Sequence, residues 1–279
     1  MGRRRAEVVE ALRTRTPRPD PPGDVRLSVV VPAYREVDAI AATVARIRSE
    51  LAEVADDGGL EVVVVDDGSG DGTGDAARDA GADQVVAFAA NRGKGAAVRA
   101  GMLAATGRSL VFTDADLSYA PAQIVGLLDA LEDGWDVVVG NRHDPRSTTV
   151  VAAGALRQVG GRAIHLATRA VLVAPHADTQ CGLKGLRSDM ARVVFGRSAI
   201  DGFAFDVELF HLVERYGLSL LEVPVEVRNS DSSTVRVARD AVALLIDLAR
   251  IRGRAARGRY DLGAADLQAL AAGDDQHGH

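Results

Sequence analysis

Five short apolar runs, most of them rich in valine, alternate with helix-like segments through the first half of the chain. That alternation constrains the fold more than any other feature. The runs lie at 27–32 (LSVVVP), 60–67 (LEVVVVDD), 83–88 (DQVVAF), 109–114 (SLVFTD) and 135–140 (WDVVVG), and helical patterns are expected near 38–51, 72–80, 94–106 and 121–132. Continuous apolar runs, as opposed to alternating ones, indicate strands covered on both faces, hence a mostly parallel sheet. Strand–helix repetition with short connections then predicts an α/β, doubly wound, mostly parallel sheet with a Rossmann-like nucleotide-binding half. Ligands of such sheets sit outside the carboxyl ends of the strands.

The residues directly after each run are therefore informative. Tyr34 and Glu36 come after the first, Asp66 and Asp67 close the second, Asp114 and Asp116 close the fourth, and Asn141, Arg142 and His143 come after the fifth. Polar chemistry gathers at one rim. Past residue 150 the rhythm changes to a long helical segment (151–172), a polar loop HADTQCGLKGLR (176–187), a helix near 203–216, a strand at 218–227 with Pro224 at an edge or bulge, and a helix over 235–252. With no internal repeat and no strong linker, one domain is expected over 26–255, made of a nucleotide-sugar half (26–142) and an acceptor half (143–255). An Arg/Pro-rich leader (1–25), disordered by composition, precedes it, and a loose tail (256–279) comes after it.

Bulk properties exclude several classes. A net charge of −6 and 4% aromatic residues leave no nucleic-acid footprint. Cys181 is the only cysteine, so no intramolecular disulfide can form and a reducing cytoplasm is the expected setting. It reads as a small packed residue. No window carries the ~18 consecutive apolar residues of a membrane span.

The acids of the fourth run, in SLVFTDADLSYAP (109–121), carry the sharpest chemistry. Residues i and i+2 of an extended segment point the same way, so Asp114 and Asp116 can converge on Mg²⁺ or Mn²⁺, ions that take their remaining ligands from phosphates and water. The competing reading is an Asx turn or helix cap before YAPAQI. GTGDAA (72–77) formally fits a dinucleotide fingerprint, yet Asp66 and Asp67 precede it and Arg92 stands where an acid should, so a nicotinamide site is not expected. NRGKGAA (91–97) departs from the phosphate-loop pattern at both ends, although a glycine loop carrying Lys94 at a helix start can still hold a phosphate; a plain turn explains it equally well.

In order along the chain, VVVPAYRE (29–36), VVVVDDGSGDGT (62–73), NRGKGAAVRAGM (91–102), FTDADLS (112–118) and VVVGNR (137–142) resemble glycosyltransferase family 2, the inverting sugar transferases of the A-type glycosyltransferase fold. DTQCGLKGLR (178–187) and FAFDVELFHL (203–212) resemble the dolichyl-phosphate and polyprenyl-phosphate β-glucosyltransferases within it. The resemblance implies a nucleotide-diphospho-sugar donor held by Pro32, Tyr34 and Glu36, with Asp66 or Asp67 on the base and Lys94, Asp114, Ala115 and Asp116 around ribose and diphosphate. Asp116 is the more direct metal ligand of the pair, and the cation makes the diphosphate a better leaving group.

It further implies a lipid-phosphate acceptor, an anion that needs positioning more than deprotonation. Arg142 is the first candidate for that task, with Lys94 and Arg157 behind it and Gln180, Lys184 and Glu208 in the same shell. Asp206 stands where relatives carry a general base; with a phosphate acceptor it orients the sugar or a cation, with an alcohol it is the base. The expected reaction is glucose transfer from UDP-glucose to a polyprenyl or dolichyl-type phosphate at the cytoplasmic membrane face. Transfer to a soluble alcohol or secondary metabolite, or donor binding without turnover, are the alternatives. The chain departs from many such transferases in having no C-terminal membrane helices. Leu244, Leu245, Leu248 and Ile251 opposite Arg250, Arg254 and Arg257 suit either a peripheral membrane contact or a core-facing helix with a basic outer side.

Overall fold

The computed structural model describes residues 19–149, 171–172, 176, 178–228, 237–263 and 266. The five apolar runs become β1 (Leu27–Ala33), β2 (Leu60–Asp66), β3 (Gln84–Ala87), β4 (Ser109–Phe112) and β5 (Val137–Asn141). Further strands are β6 (Thr148–Thr149), β7 (Lys184–Arg187), β8 (Leu220–Pro224) and β9 (Glu226–Val227). Seven of them form one sheet in the order β3-β2-β1-β4-β7-β5-β8, and β6 pairs with β9 separately. All neighbours in the large sheet are parallel except β7, which runs antiparallel to both β4 and β5. The mostly parallel sheet expected from the sequence is therefore present, with one strand that the sequence pattern does not announce.

The pattern reads β7 as loop because its end residues are Lys184 and Arg187. Both are buried: Lys184 against Asp206, and Arg187 against Asp189 and the carbonyl of Pro19. Pro224 closes the edge strand β8, and the chain re-enters strand pairing only at Glu226, so the proline falls where no ladder bond is lost.

Helices cover both faces. Among the described residues they are α1 (Ile40–Glu50), α2 (Ala52–Asp56), α3 (Thr73–Asp79), α4 (Lys94–Ala104), α5 (Ile124–Glu132, entered through a 3-10 turn at Pro121–Gln123), α6 (Ser188–Arg197), α7 (Phe205–Tyr216) and α8 (Val237–Ala256). Alternation along β1 divides the core. Val29 and Val31 pack with Ile40, Val44 and Ile47 of α1 and Leu127, Leu128 and Leu131 of α5. Val30 packs with Ala97, Val98 and Met102 of α4, Met190 and Val194 of α6, and Val207 and Phe210 of α7. α6 is not expected from the sequence pattern, and the expected helix at 151–172 lies outside the described residues except for its last two.

Two boundaries are corrected. Residues 19–25, assigned to a disordered leader, are tied to the sheet: Arg187 donates to the carbonyl of Pro19 at 2.5 Å, Ser188 to that of Pro22 at 2.6 Å, and Asp24 N–H to Thr106. The start of the assigned tail is packed as well. Tyr260 is fully buried, its carbonyl accepts from the Tyr216 hydroxyl, and its own hydroxyl donates to Glu208 at 2.5 Å.

Candidate functional site

Parallel strands end on the same side, so β1, β2, β4 and β5 deliver their succeeding residues to one rim. The reversed strand adds to this. Because β7 runs antiparallel, its first residue, Lys184, lies level with Phe112 at the end of β4, and the preceding loop from Asp178 to Leu183 comes to the same rim. The geometry thus joins the DTQCGLK segment to the acids of the first half.

On the β1–β2 side, Pro32 is half-buried in the strand, while Tyr34 is exposed with the Arg35 guanidinium stacked 5.2 Å from its ring centre. Asp67 is buried, and both its oxygens are used: it accepts from Asn91 Nδ2 (2.9 Å), Arg92 N–H (2.7 Å) and Gly93 N–H (2.9 Å), which fixes the 91–93 loop. Asp66 accepts from Ser69 N–H through Oδ1, and its Oδ2 has no hydrogen-bond partner among the described residues. Glu36 is half-buried, and its backbone N–H donates to Thr73. Burial, then the charges of Asp116 and Asp71, raise its carboxyl above the ordinary value. An acid held high in the folded state adds stability below its unfolded pKa and loses it as pH rises through the folded one. Replacing Asp116 by asparagine should therefore bring the Glu36 titration down, as should a divalent cation; carbon-13 NMR of the Glu36 carboxyl would check this, and an unmoved midpoint would contradict the proximity of the two charges.

At the centre, the extended geometry expected for Asp114–Asp116 is not what forms. β4 stops at Phe112; Leu117 N–H donates to the Asp114 carbonyl at 3.1 Å, and Leu117 takes a positive φ of 48°. The two acids flank a turn. Asp116 is exposed and accepts from the Ser118 N–H and hydroxyl, both at 2.9 Å, which is the Asx turn of the competing reading. Ala115 is buried, its carbonyl accepting from Thr43 Oγ1 at 2.7 Å. Asp114 is half-buried and pairs with Lys94 Nζ at 2.5 Å.

Lys94 also faces Asp206. Burial works against the ammonium, but Asp114 and Asp206 outweigh it and raise its pKa. Asp206, in the first turn of α7, is buried and bound by Lys184 Nζ at 2.6 Å; burial still holds its carboxyl above the ordinary range against the pull of Lys184 and Lys94. Lys184 itself is fully buried, donates to the Cys181 carbonyl at 2.5 Å and lies 5.5 Å and 5.9 Å from the ring centres of Phe112 and Phe210. The result is a chain of alternating charge, Asp114–Lys94–Asp206–Lys184, running from the rim inward. Gly182 makes room for it: a Cβ there would stand 2.1 Å from Asp114 Oδ2 and 2.8 Å from its Cγ. A Gly182→Ala enzyme should lose about a hundredfold in turnover, because displacement of a positioned group by about 1 Å costs that much. Steady-state kinetics would show it, and a rate within about threefold of the parent would mean that the Asp114 position is not critical.

On the β5 side, Asp178 grips Arg142 from Nε (2.6 Å), Nη2 (2.7 Å) and the backbone N–H (3.0 Å). Burial opposes both charges, yet the pairing wins in each: Arg142 is raised and Asp178 lowered. The sequence singles out neither Asp178 nor Tyr119, a buried phenol whose ionisation is pushed up by burial and whose oxygen lies 3.4 Å from Gly182 N–H. Gln180 joins the same loop through its N–H to Asp178, and its Nε2 is buried with no hydrogen-bond partner among the described residues. Cys181 is buried, and burial raises its thiol, as suits a packed residue.

Two expectations are not met by the described residues, and a third falls outside them. Glu208 faces away from this chain of charges: its carboxylate accepts from Ala199 and Ile200 N–H at 2.8 to 3.0 Å and from Tyr260, a structural clamp. The start of α4 is closed to a phosphate, because the Asp201 carbonyl already accepts from Gly95 (2.8 Å) and Ala96 (3.2 Å). Arg157 lies outside the described residues.

The chain matches the family model described as Glycosyl transferase family 2 over residues 28–192. It is 32% identical over 226 residues to the dolichyl-phosphate beta-glucosyltransferase of Drosophila melanogaster, covering 75% of this chain and 69% of that one. To the enzyme of the same description from Saccharomyces cerevisiae it is 29% identical over 250 residues, covering 82% and 75%. Among solved structures it is similar in fold to glucosyl-3-phosphoglycerate synthase from Mycobacterium tuberculosis, crystallised with Mn²⁺, UDP and glucosyl-3-phosphoglycerate, with a TM-score of 0.60, 23% identity and 80% of each chain covered.

Proposed function

Since the chain belongs to glycosyl transferase family 2, we propose that it transfers glucose from UDP-glucose, with inversion, to the phosphate of a polyprenyl or dolichyl-type lipid. The observation that carries this reading is the run of relatives described as dolichyl-phosphate beta-glucosyltransferases, each aligned over most of the chain. The rim chemistry supports it.

The donor set suits a divalent cation. Asp116 and Asp114 offer hard oxygens at the turn after β4, and Glu36, its carboxyl raised by burial and then by the charges of Asp116 and Asp71, adds a third acid to this rim. No group of three or more acidic, His or Cys residues able to enclose a metal occurs among the described residues, which fits an ion that completes its shell with diphosphate oxygens and water. Bound there, Mg²⁺ or Mn²⁺ would neutralise the departing diphosphate. The fold neighbour was crystallised with Mn²⁺ and UDP, which supports use of a divalent cation.

The remaining tasks fall to this chain's side chains. Tyr34 and Asp66 face the base and ribose, and Asp67 acts by holding the 91–93 loop. Lys94, kept protonated by Asp114 and Asp206, supplies positive charge beside the diphosphate. Arg142, whose Nε and Nη2 are held by Asp178, presents its remaining N–H donors to an acceptor phosphate without needing to reorganise. Such a phosphate is anionic at neutral pH, so Asp206 has no proton to remove from it; buried between two lysines, it orients Lys94. No helix among the described residues is long and apolar enough to cross a membrane. Incubation with labelled UDP-glucose, Mn²⁺ and a detergent-solubilised polyprenyl phosphate should give a labelled organic-extractable product. Label found only in a water-soluble acceptor would replace the lipid reading with the soluble one, and donor binding without transfer would remove the catalytic one.

A further inference from the structure

A groove of about 370 Å³ is lined by Ala199, Asp201 and Gly202, in the loop packed on the start of α4, and, from α8 and the turn after it, by Arg250, Arg254 and Arg257. Steps of four and three residues put the arginines on one face of the helix, while Leu248 and Ile251 turn into the core. The opposite wall is rigid: Glu208 clamps Ala199 and Ile200, and the Asp201 carbonyl caps α4.

The charges in this groove do not cancel. Asp201 is answered by Arg99 at 2.5 Å and Asp247 by Arg250 at 2.9 Å. Among the described residues no carboxylate pairs with Arg254 or Arg257. Arg254 stacks 5.1 Å from the ring centre of Tyr260 and hydrogen-bonds its side chain, while the Arg254 Nε is buried with no hydrogen-bond partner among the described residues. A buried guanidinium N–H left without an acceptor is costly, and an anion offsets that cost.

Beside the arginines the surface is apolar. Phe203, next to Gly202, is 54% exposed, and Ile246, 49% exposed, lies one turn ahead of Arg250 on the arginine stripe. Exposed large apolar side chains at the lip of a basic groove have no use for a soluble anion. They match the boundary between lipid headgroups and acyl chains.

We propose that this groove seats the phosphate of an anionic phospholipid headgroup, with Phe203 and Ile246 entering the bilayer interface. Docking there sets the Lys94 end of α4 and the first turn of α7 close to the membrane, where a lipid-linked acceptor is found. The inference takes its purpose from the lipid-acceptor reading, but lipid binding can be measured with neither donor nor acceptor present, so the two can fail separately.

The test is flotation of the full chain with vesicles of phosphatidylcholine alone and of phosphatidylcholine containing phosphatidylglycerol. Association with the anionic vesicles only, released by salt, is expected. Arg254→Ala/Arg257→Ala and Phe203→Ser/Ile246→Ser should each lower it by about tenfold or more, with transfer to detergent-solubilised acceptor unchanged. Arg257→Glu, at an exposed position, serves as the charge-reversal check should the double variant fold poorly. Equal binding to both vesicle types, binding by Arg257→Glu like the parent, or release of the protein by millimolar inorganic phosphate at constant ionic strength would each overturn the proposal.

Discussion

Asp116→Ala is expected to reduce metal-dependent transfer by about 10²- to 10³-fold while shifting the melting temperature by no more than about 2 °C. Both halves come from where the residue sits. Its carboxylate is exposed and its hydrogen bonds to Ser118 are local, so little of the core depends on them. Surface changes of this kind stay within about 0.5 kcal/mol, and loss of an Asx turn adds a comparable amount. The catalytic loss is larger because a cation at the turn would keep only Asp114, which is already committed to Lys94. Asp116→Asn separates the two roles: it keeps an acceptor for Ser118 and removes the charge, so it should match alanine in activity and exceed it in stability. An asparagine enzyme as active as the parent would show that Asp116 shapes the turn and does not serve a metal.

Lys184→Met is the second large effect, and here stability should fall. Lys184 is fully buried in an ion pair with Asp206, and removing one partner of a buried pair costs about 3–5 kcal/mol because the other charge is left uncompensated. In a chain of this size that is a drop in melting temperature of about 10 °C. The double variant Lys184→Met/Asp206→Leu should recover most of it, since two apolar groups replace two desolvated ones. Activity should not recover, because Lys94 would then face only Asp114 and lose the second of the two carboxylates that act on it. A single variant that melts like the parent would mean that Lys94 alone supports Asp206.

Much of the architecture is legible because parallel strands buried on both faces write themselves as unbroken apolar runs; β1, β2 and β5 are such runs. β7 is not, since the burial of Lys184 and Arg187 depends on Asp206, Asp189 and Pro19, partners that no local pattern reveals. The rim acids are found by position at strand ends, but their geometry is not: Asp-x-Asp reads as extended, and the positive φ of Leu117 with the Ser118 bonds makes it an Asx turn. The capping of α4 by the Asp201 carbonyl leaves no trace in sequence at all, because a backbone acceptor has no residue type. The arginine face of α8 is visible as a helical stripe, but which of the apolar residues pack is not: Leu248 and Ile251 serve the core, while Leu245 and Ile246 remain outside.

The central claim is that glucose is joined to a lipid phosphate with inversion at its anomeric carbon. Proton and phosphorus NMR of the purified lipid product tests it most directly. The expected spectrum shows an anomeric proton coupled to phosphorus and, through the large vicinal coupling to H2 of a β-glucoside, to the sugar ring. An α-configured product, or glucose bound to anything other than phosphate, would contradict it.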